Sequence, residues 1–248
     1  MFWPKSWSAT HLATFFGLNR IVDSLLEAEL QRGANLAEER MYHYQALVAI
    51  ASARGHASTL RMLLDLHCPR EGSFLEAQVI LPGLDETRAT PLCLAAKNGH
   101  TGVSALLLKR GAAPDTPDDS GRTPLSLAAA NGHVKVGALL IDHGAKLDGQ
   151  DVSGRTPLIW AAEEVHEDVV KLLLEAGCKP QIKDDKGMSA LSYAAKNGHR
   201  GIVEALIKCG APLEDRDVWG RRPSEQARHS GHLAIAGILE AAEKERVE

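Results

Sequence analysis

Asp118-Asp119-Ser120-Gly121-Arg122-Thr123-Pro124-Leu125-Ser126-Leu127-Ala128-Ala129 is the stretch whose reading decides the fold. Asp-x-x-Gly is turn chemistry, because an Asp side chain caps its own turn and Gly accepts a positive φ. Thr123 suits a helix N-cap, and Pro124 suits the first helical position, where no N–H is needed. Ala128 and Ala129 are small enough for a neighbouring helix to approach closely. Gly132 then ends this short helix in a left-handed conformation. A second helix follows, with Val136, Leu139 and Leu140 at helical spacing, and Gly144 closes it. The stretch reads turn, helix, turn, helix.

Working outward, the same words recur on a fixed beat. Thr90-Pro91-Leu92, Thr123-Pro124-Leu125 and Thr156-Pro157-Leu158 stand 33 residues apart, and Ser189-Ala190-Leu191 and Arg222-Pro223 continue the series. Gly99-His100, Gly132-His133, Gly198-His199 and Gly231-His232 keep the same beat. Such a period means one structural unit copied in tandem. A unit of this size cannot bury its apolar face alone, so the copies stack on their neighbours.

Asp118–His133 and Asp151–His166 closely match Asp-x-x-Gly-x-Thr-Pro-Leu-His-x-Ala-Ala-x-x-Gly-His, and so the chain resembles the ankyrin repeat family. The resemblance covers nearly the whole sequence. It implies an all-α, ankyrin-type solenoid of stacked helix-turn-helix repeats with hairpin-like loop fingers. Seven repeats in a single domain are expected, at about 5–37, 38–69, 85–117, 118–150, 151–183, 184–216 and 217–248, with an insertion at 70–84.

Departures from the family pattern carry further expectations. The family's His after Thr-Pro-Leu is replaced by Cys93, Ser126, Ile159 and Ser192, so the bonds it normally makes between turns are weaker or replaced. Ser at that place, followed by Trp160 or Tyr193 in the helix, is similar to fungal ankyrin proteins. Val165 stands where the other repeats have Gly, and a β-branched residue resists positive φ, so a different turn is expected there. Arg228 replaces a paired Ala, and 240–248 is a charged helical end, together read as a C-terminal cap. Phe2, Trp3 and Trp7 are read as an N-terminal cap. From Ala46 to Thr90 is 44 residues, 11 beyond the period, and the excess lies within Pro69–Leu84. From Ser8 to Ala46 is 38, so five are extra, expected to lengthen the helix around Glu27–Gln31.

Composition narrows the function classes. A net charge of −4 without any long basic run gives no reason to expect nucleic acid. No apolar run approaches the roughly 20 residues of a membrane helix. Met1-Phe2-Trp3-Pro4 lacks the features of a signal peptide. Cys68, Cys93, Cys178 and Cys209 show no metal or disulfide spacing, and read as reduced thiols of a cytoplasmic or nuclear protein. A monomer is expected, with no cofactor.

The Gly-His histidines could suggest a stripe of metal ligands, but they come one per turn and do not converge on a point, so they read as structural. The acidic pairs Asp118-Asp119 and Asp184-Asp185 fall at loop tips and read as solvated, while Glu163-Glu164 ends a first helix facing the groove. Trp160 and Tyr193 fall where Leu94 and Leu127 stand, and read as core. Phosphate-loop, zinc-protease and nucleophile-elbow motifs are absent from the sequence, and no catalytic or metal residue is assigned.

The resemblance implies another protein as partner, gripped on the concave face by fingers and first helices. The candidate contact residues are Asp119, Arg122, Arg155, Glu163, Glu164, Lys186, Lys196, Asn197, Trp219 and Arg221. The alternative is an enzyme or small-molecule binder, with a pocket near His11, Tyr42 and the 70–84 insertion. That insertion is too apolar for an idle solvated loop, and is expected to fold back onto the second and third repeats.

Overall fold

The computed structural model describes residues 8–31, 37–67, 75–81 and 85–246. The expected aromatic cap at 1–7, Phe74 and the last two residues of the charged end lie outside them. The chain divides into two compact units, residues 1–120 and 121–248.

Unit 2 is the regular one. Its helices pair as α7 (Pro124–Ala130) with α8 (Val134–Asp142), α9 (Pro157–Glu163) with α10 (Glu167–Glu175), α11 (Ala190–Asn197) with α12 (Arg200–Lys208), and α13 (Pro223–His229) with α14 (Leu233–Glu245). Each first helix begins where the repeated word placed it. The hydroxyls of Thr123, Thr156 and Ser189 accept the amides of Ser126, Ile159 and Ser192 at 3.2–3.3 Å. Arg222 has no hydroxyl to offer, and the last repeat keeps the reciprocal half of a cap instead: the Glu225 carboxylate accepts the Arg222 N–H at 2.7 Å. The paired alanines are buried between neighbouring first helices, with Leu125, Leu158 and Leu191 beside them. Val136, Leu140, Val170, Leu173, Val203 and Leu206 line the second helices and are buried.

The positions that lack the family His turn inward. Ser126 and Ser192 bond the hydroxyls of their own helix caps, Thr123 and Ser189, at 3.1 and 3.3 Å. In unit 1, the Cys93 thiol donates to the Thr116 carbonyl at 3.3 Å.

Unit 1 contains α1 (Ala9–Phe15), α2 (Asn19–Gln31), α3 (Ala37–Arg54), α4 (Ala57–His67), strands β1 (Val79–Leu81) and β2 (Asp85–Ala89), α5 (Pro91–Lys97) and α6 (Thr101–Lys109). The helix around Glu27–Gln31 is indeed long: α2 has 13 residues against nine in α6. The second repeat departs from expectation. Its first helix starts at Ala37, takes in Tyr42, His43 and Tyr44, and at 18 residues is far longer than the seven of α5. Ala37-Glu38-Glu39-Arg40-Met41 are strong helix formers without a Gly or Pro to stop them.

The described part of the insertion folds back as the apolar pattern requires. β1 pairs antiparallel with β2 through Val79–Ala89 and Leu81–Asp85, with a bulge between. Leu75, Val79 and Leu81 are buried, and β1 packs on α3. Glu76 then clasps the loop after α6, accepting the Ala113 N–H at 2.8 Å and the Thr116 hydroxyl. Gln78 donates to the Pro117 carbonyl at 2.8 Å.

Candidate functional site

The fingers of unit 2 are built on three aspartates. In each, Oδ1 accepts two amides of its own turn. Asp151 takes those of Ser153 and Arg155, Asp184 those of Lys186 and Met188, and Asp217 those of Trp219 and Arg221, all at 2.8–3.0 Å. The second oxygen accepts a side chain nine residues on, from the following first helix. Trp160 Nε1 reaches Asp151 at 3.0 Å, the Tyr193 hydroxyl reaches Asp184 at 2.7 Å, and Gln226 Nε2 reaches Asp217 at 3.0 Å. Each finger is thereby fixed to its own helix.

Asp118 and Asp184 are buried, as is Asp217, so the first member of each of the two acidic loop pairs is a turn cap and not a solvated charge. Asp119 and Asp185 alone face solvent. Burial by itself would raise the Asp217 carboxyl, but the Arg221 and Trp219 amides and the Arg221 guanidinium outweigh it and hold the group below its ordinary value. Successive fingers also bond each other: the Asp185 N–H donates to the Ser153 carbonyl, and the Val218 N–H to the Lys186 carbonyl, both at 3.0 Å.

Arg155 occupies the middle of this array. Its guanidinium lies over the Trp160 ring at 4.6 Å and near the Tyr193 ring at 5.3 Å, binds Glu163 at 2.7 Å and donates to the Tyr193 hydroxyl at 3.2 Å. Its side chain is only 16% exposed. Arg155 thus joins the 151–183 repeat to the 184–216 repeat and is not an open cation. Trp160 is half-buried and Tyr193 is buried, as core positions should be, but their polar ends serve Asp151 and Asp184. Burial first, then the bond to Asp184, pushes the Tyr193 phenol up, so it stays a donor.

Glu163 is raised by burial. Arg155 opposes the rise, Glu164 adds to it, and Lys196 and Lys186 pull it back. Those neighbours place Glu163, Glu164, Lys186 and Lys196 around one surface, with Asn197 donating to the Glu163 carbonyl at 3.3 Å. Glu164, Lys186, Lys196 and Asn197 are exposed.

On the adjoining finger Trp219 is 61% exposed and Val218 is 63% exposed. The Arg221 guanidinium sits 4.8 Å over the Trp219 ring and is itself pinned to Asp217 at 3.1 Å. Val152, on the 151–154 finger, is 72% exposed. The other two candidates lie elsewhere. Asp119, in unit 1, is clamped to Arg88, with its N–H on the Arg88 carbonyl and its carboxylate on the Arg88 N–H. Arg122 opens unit 2 and is half-buried.

Around the alternative site in unit 1, the groups do structural work. His11 Nδ1 meets the Ser8 hydroxyl at 2.8 Å and the Ser8 N–H at 3.1 Å, closing a capping box on α1. The His11 and His43 rings meet edge to face at 4.3 Å. Tyr44 donates to the Leu63 carbonyl, and Tyr42 is exposed on α3. Among the described residues, no group of three His, Cys, Asp or Glu side chains is placed to hold a metal ion.

Sequence reasoning missed the aspartate pairings. The signal was present: the column nine residues after the finger Asp changes from Leu127 to Trp160, Tyr193 and Gln226, gaining a side-chain donor in the last three repeats.

The family models for ankyrin repeats match residues 10–118, 70–151 and 92–184, and a further ankyrin repeat model matches 186–218. The chain belongs to the ankyrin repeat family, whose members are generally protein–protein interaction modules. A search of curated proteins found no match.

Proposed function

We propose that this protein is a non-enzymatic adaptor that grips another protein with the fingers and first helices of unit 2. The observation that carries the reading is Trp219, a large aromatic held rigid on a finger tip yet mostly exposed. Solvating that ring costs free energy, and a pre-fixed aromatic loses little entropy on binding. Val218 and Val152 extend the apolar contact, and Lys186, Lys196, Glu164 and Asn197 form a polar border beside it. Arg155 and Glu163 support this surface from beneath. No observation at His11 and Tyr42 favours the enzyme or small-molecule reading. The buried thiols of Cys93 and Cys178, both pushed up to about 12 by burial, stay protonated and suit a reducing compartment, cytoplasmic or nuclear.

Photo-crosslinking in extract of the source cells tests the face. A photoreactive residue at Val152 or Lys186 should capture the same protein, and one at Lys171 on the outer helix α10 should not. Capture from Lys171 alone would place the interaction on the wrong side.

A further inference from the structure

One step in unit 2 is built unlike the others. In the family's turn, the Gly after each first helix takes a positive φ, and the His of a following repeat packs against it. A Cβ placed on Gly132 would lie 2.6 Å from His166 Nδ1, and one on Gly198 2.6 Å from the His232 ring. His56, His100 and His166 then bond carbonyls of the preceding repeat, those of Phe15, Ala53 and Ala130, at 2.8–3.2 Å.

Val165 breaks this arrangement. It is the one residue other than Gly with positive φ among those described, at 66°. The turn around it keeps one bond of the Gly-bearing turns, the His166 N–H on the Ala161 carbonyl at 2.9 Å, but lacks the two that flank Gly99 and Gly132, and in that it differs from them as the sequence led one to expect. The backbone nevertheless stays left-handed and takes the strain that a β-branched residue suffers there. By the geometry of the Gly132 and Gly198 turns, a Cβ at this place competes with the next histidine ring for space. His199 Nε2 is buried and finds no hydrogen bond of ordinary geometry, although the Glu163 backbone lies close enough to act on the ring. Asn197 takes the Glu163 carbonyl instead.

Across this step Arg155 reaches from the 151–183 repeat to Tyr193 and Asp184 of the next, beside one finger bond, the Asn197 bond and a partly exposed Lys183–Asp215 ion pair at 3.7 Å. The last two repeats hold each other differently. Arg246, after α14, donates to the Ala211 and Ile207 carbonyls at the end of α12, at 2.8 and 2.9 Å.

We propose that 184–246 opens as one block from the rest of unit 2, at the step carrying Val165, and that Arg155 is the latch that keeps this step closed. In a repeat array each interface contributes separately, so the stack parts at its weakest one. Trp219 and Arg221 belong to the opening block, so on the protein-binding reading above a partner meets them ordered only when the latch is closed. The opening does not depend on that reading and can be measured with no partner present.

Native-state hydrogen exchange on the full chain is the test. Amides of α11–α14 should exchange together, about tenfold or more faster than those of α7–α10. Val165→Gly should narrow that gap several-fold and raise the His199 pKa, read by NMR, as the ring regains the Glu163 carbonyl. Arg155→Met should widen the gap without changing exchange in α7–α10. Equal protection across α7–α14, fraying of α13–α14 alone, or a Val165→Gly protein with both the gap and the His199 titration unchanged would overturn the proposal.

Discussion

The two units meet the same stacking problem with different irregularities. Unit 1 departs in length: it carries the insertion and an overlong α3, and the described parts of both contribute to its core. Leu75, Val79 and Leu81 are buried, and Glu76 and Gln78 bind backbone groups of the 113–117 loop. Unit 2 keeps the period without a break and departs in side chains. Trp219, Val218 and Val152 stand exposed on fingers, and Val165 stands where Gly belongs. The described apolar residues of the insertion are largely absorbed into core, whereas those on the unit 2 finger tips are left exposed.

The largest expected effect would come from cutting into unit 2's own packing. Leu173, on α10, is fully buried, and Leu173→Ala should cost about 2–5 kcal/mol through the cavity it leaves. Chemical denaturation reads this, and a loss under about half a kcal/mol would mean α10 is not packed as described. Leu81→Ala should cost about 2–4 kcal/mol in unit 1, because the hairpin side chain is core. Trp219→Ala should leave stability within about 0.5 kcal/mol, as an exposed position does. Equal losses at Leu81 and Trp219 would erase the contrast between a structural insertion and a binding finger.

A smaller effect, of opposite sign, is expected at Val165. Val165→Gly should stabilise by about 1 kcal/mol, since relief of about 1–2 kcal/mol of left-handed strain exceeds the added entropy of the unfolded chain. A loss of stability would show that Val165 is not strained.

The smallest effect is in pH dependence. Burial holds His199 below the ordinary histidine value of about 6.5, so the unfolded chain takes up the proton first. Its contribution is then present above pH about 6.5 and is lost as pH falls from there through the folded pKa. Val165→Gly should flatten that part of the stability curve, and a slope unchanged by the substitution would detach His199 from Val165.

Much of the fold was legible because its determinants are local. Thr123, Pro124 and Gly132 each act within one turn, and a word repeated every 33 residues multiplies the signal. The overlong α3 was less legible, since helix propensity in 37–41 competed with the repeat pattern. The surface was legible in part. Trp219 stands out by residue type at a loop tip. Arg155 looked identical to Arg122 and Arg221 in sequence, yet it is enclosed by Trp160, Tyr193 and Glu163, a neighbourhood that exists only after two repeats stack. Val165 was visible as an exception. The turn there does lose two of the bonds that flank Gly99 and Gly132, while its backbone stays left-handed, which the residue type alone did not foretell.

The affinity of the partner recovered by crosslinking, measured for wild-type protein and for Trp219→Ala, tests the binding face most directly. The predicted result is a loss of at least about 2 kcal/mol, roughly 30-fold in Kd, with an unchanged circular dichroism spectrum. Undiminished affinity for Trp219→Ala, together with loss of binding in Lys171→Glu on α10, would contradict it.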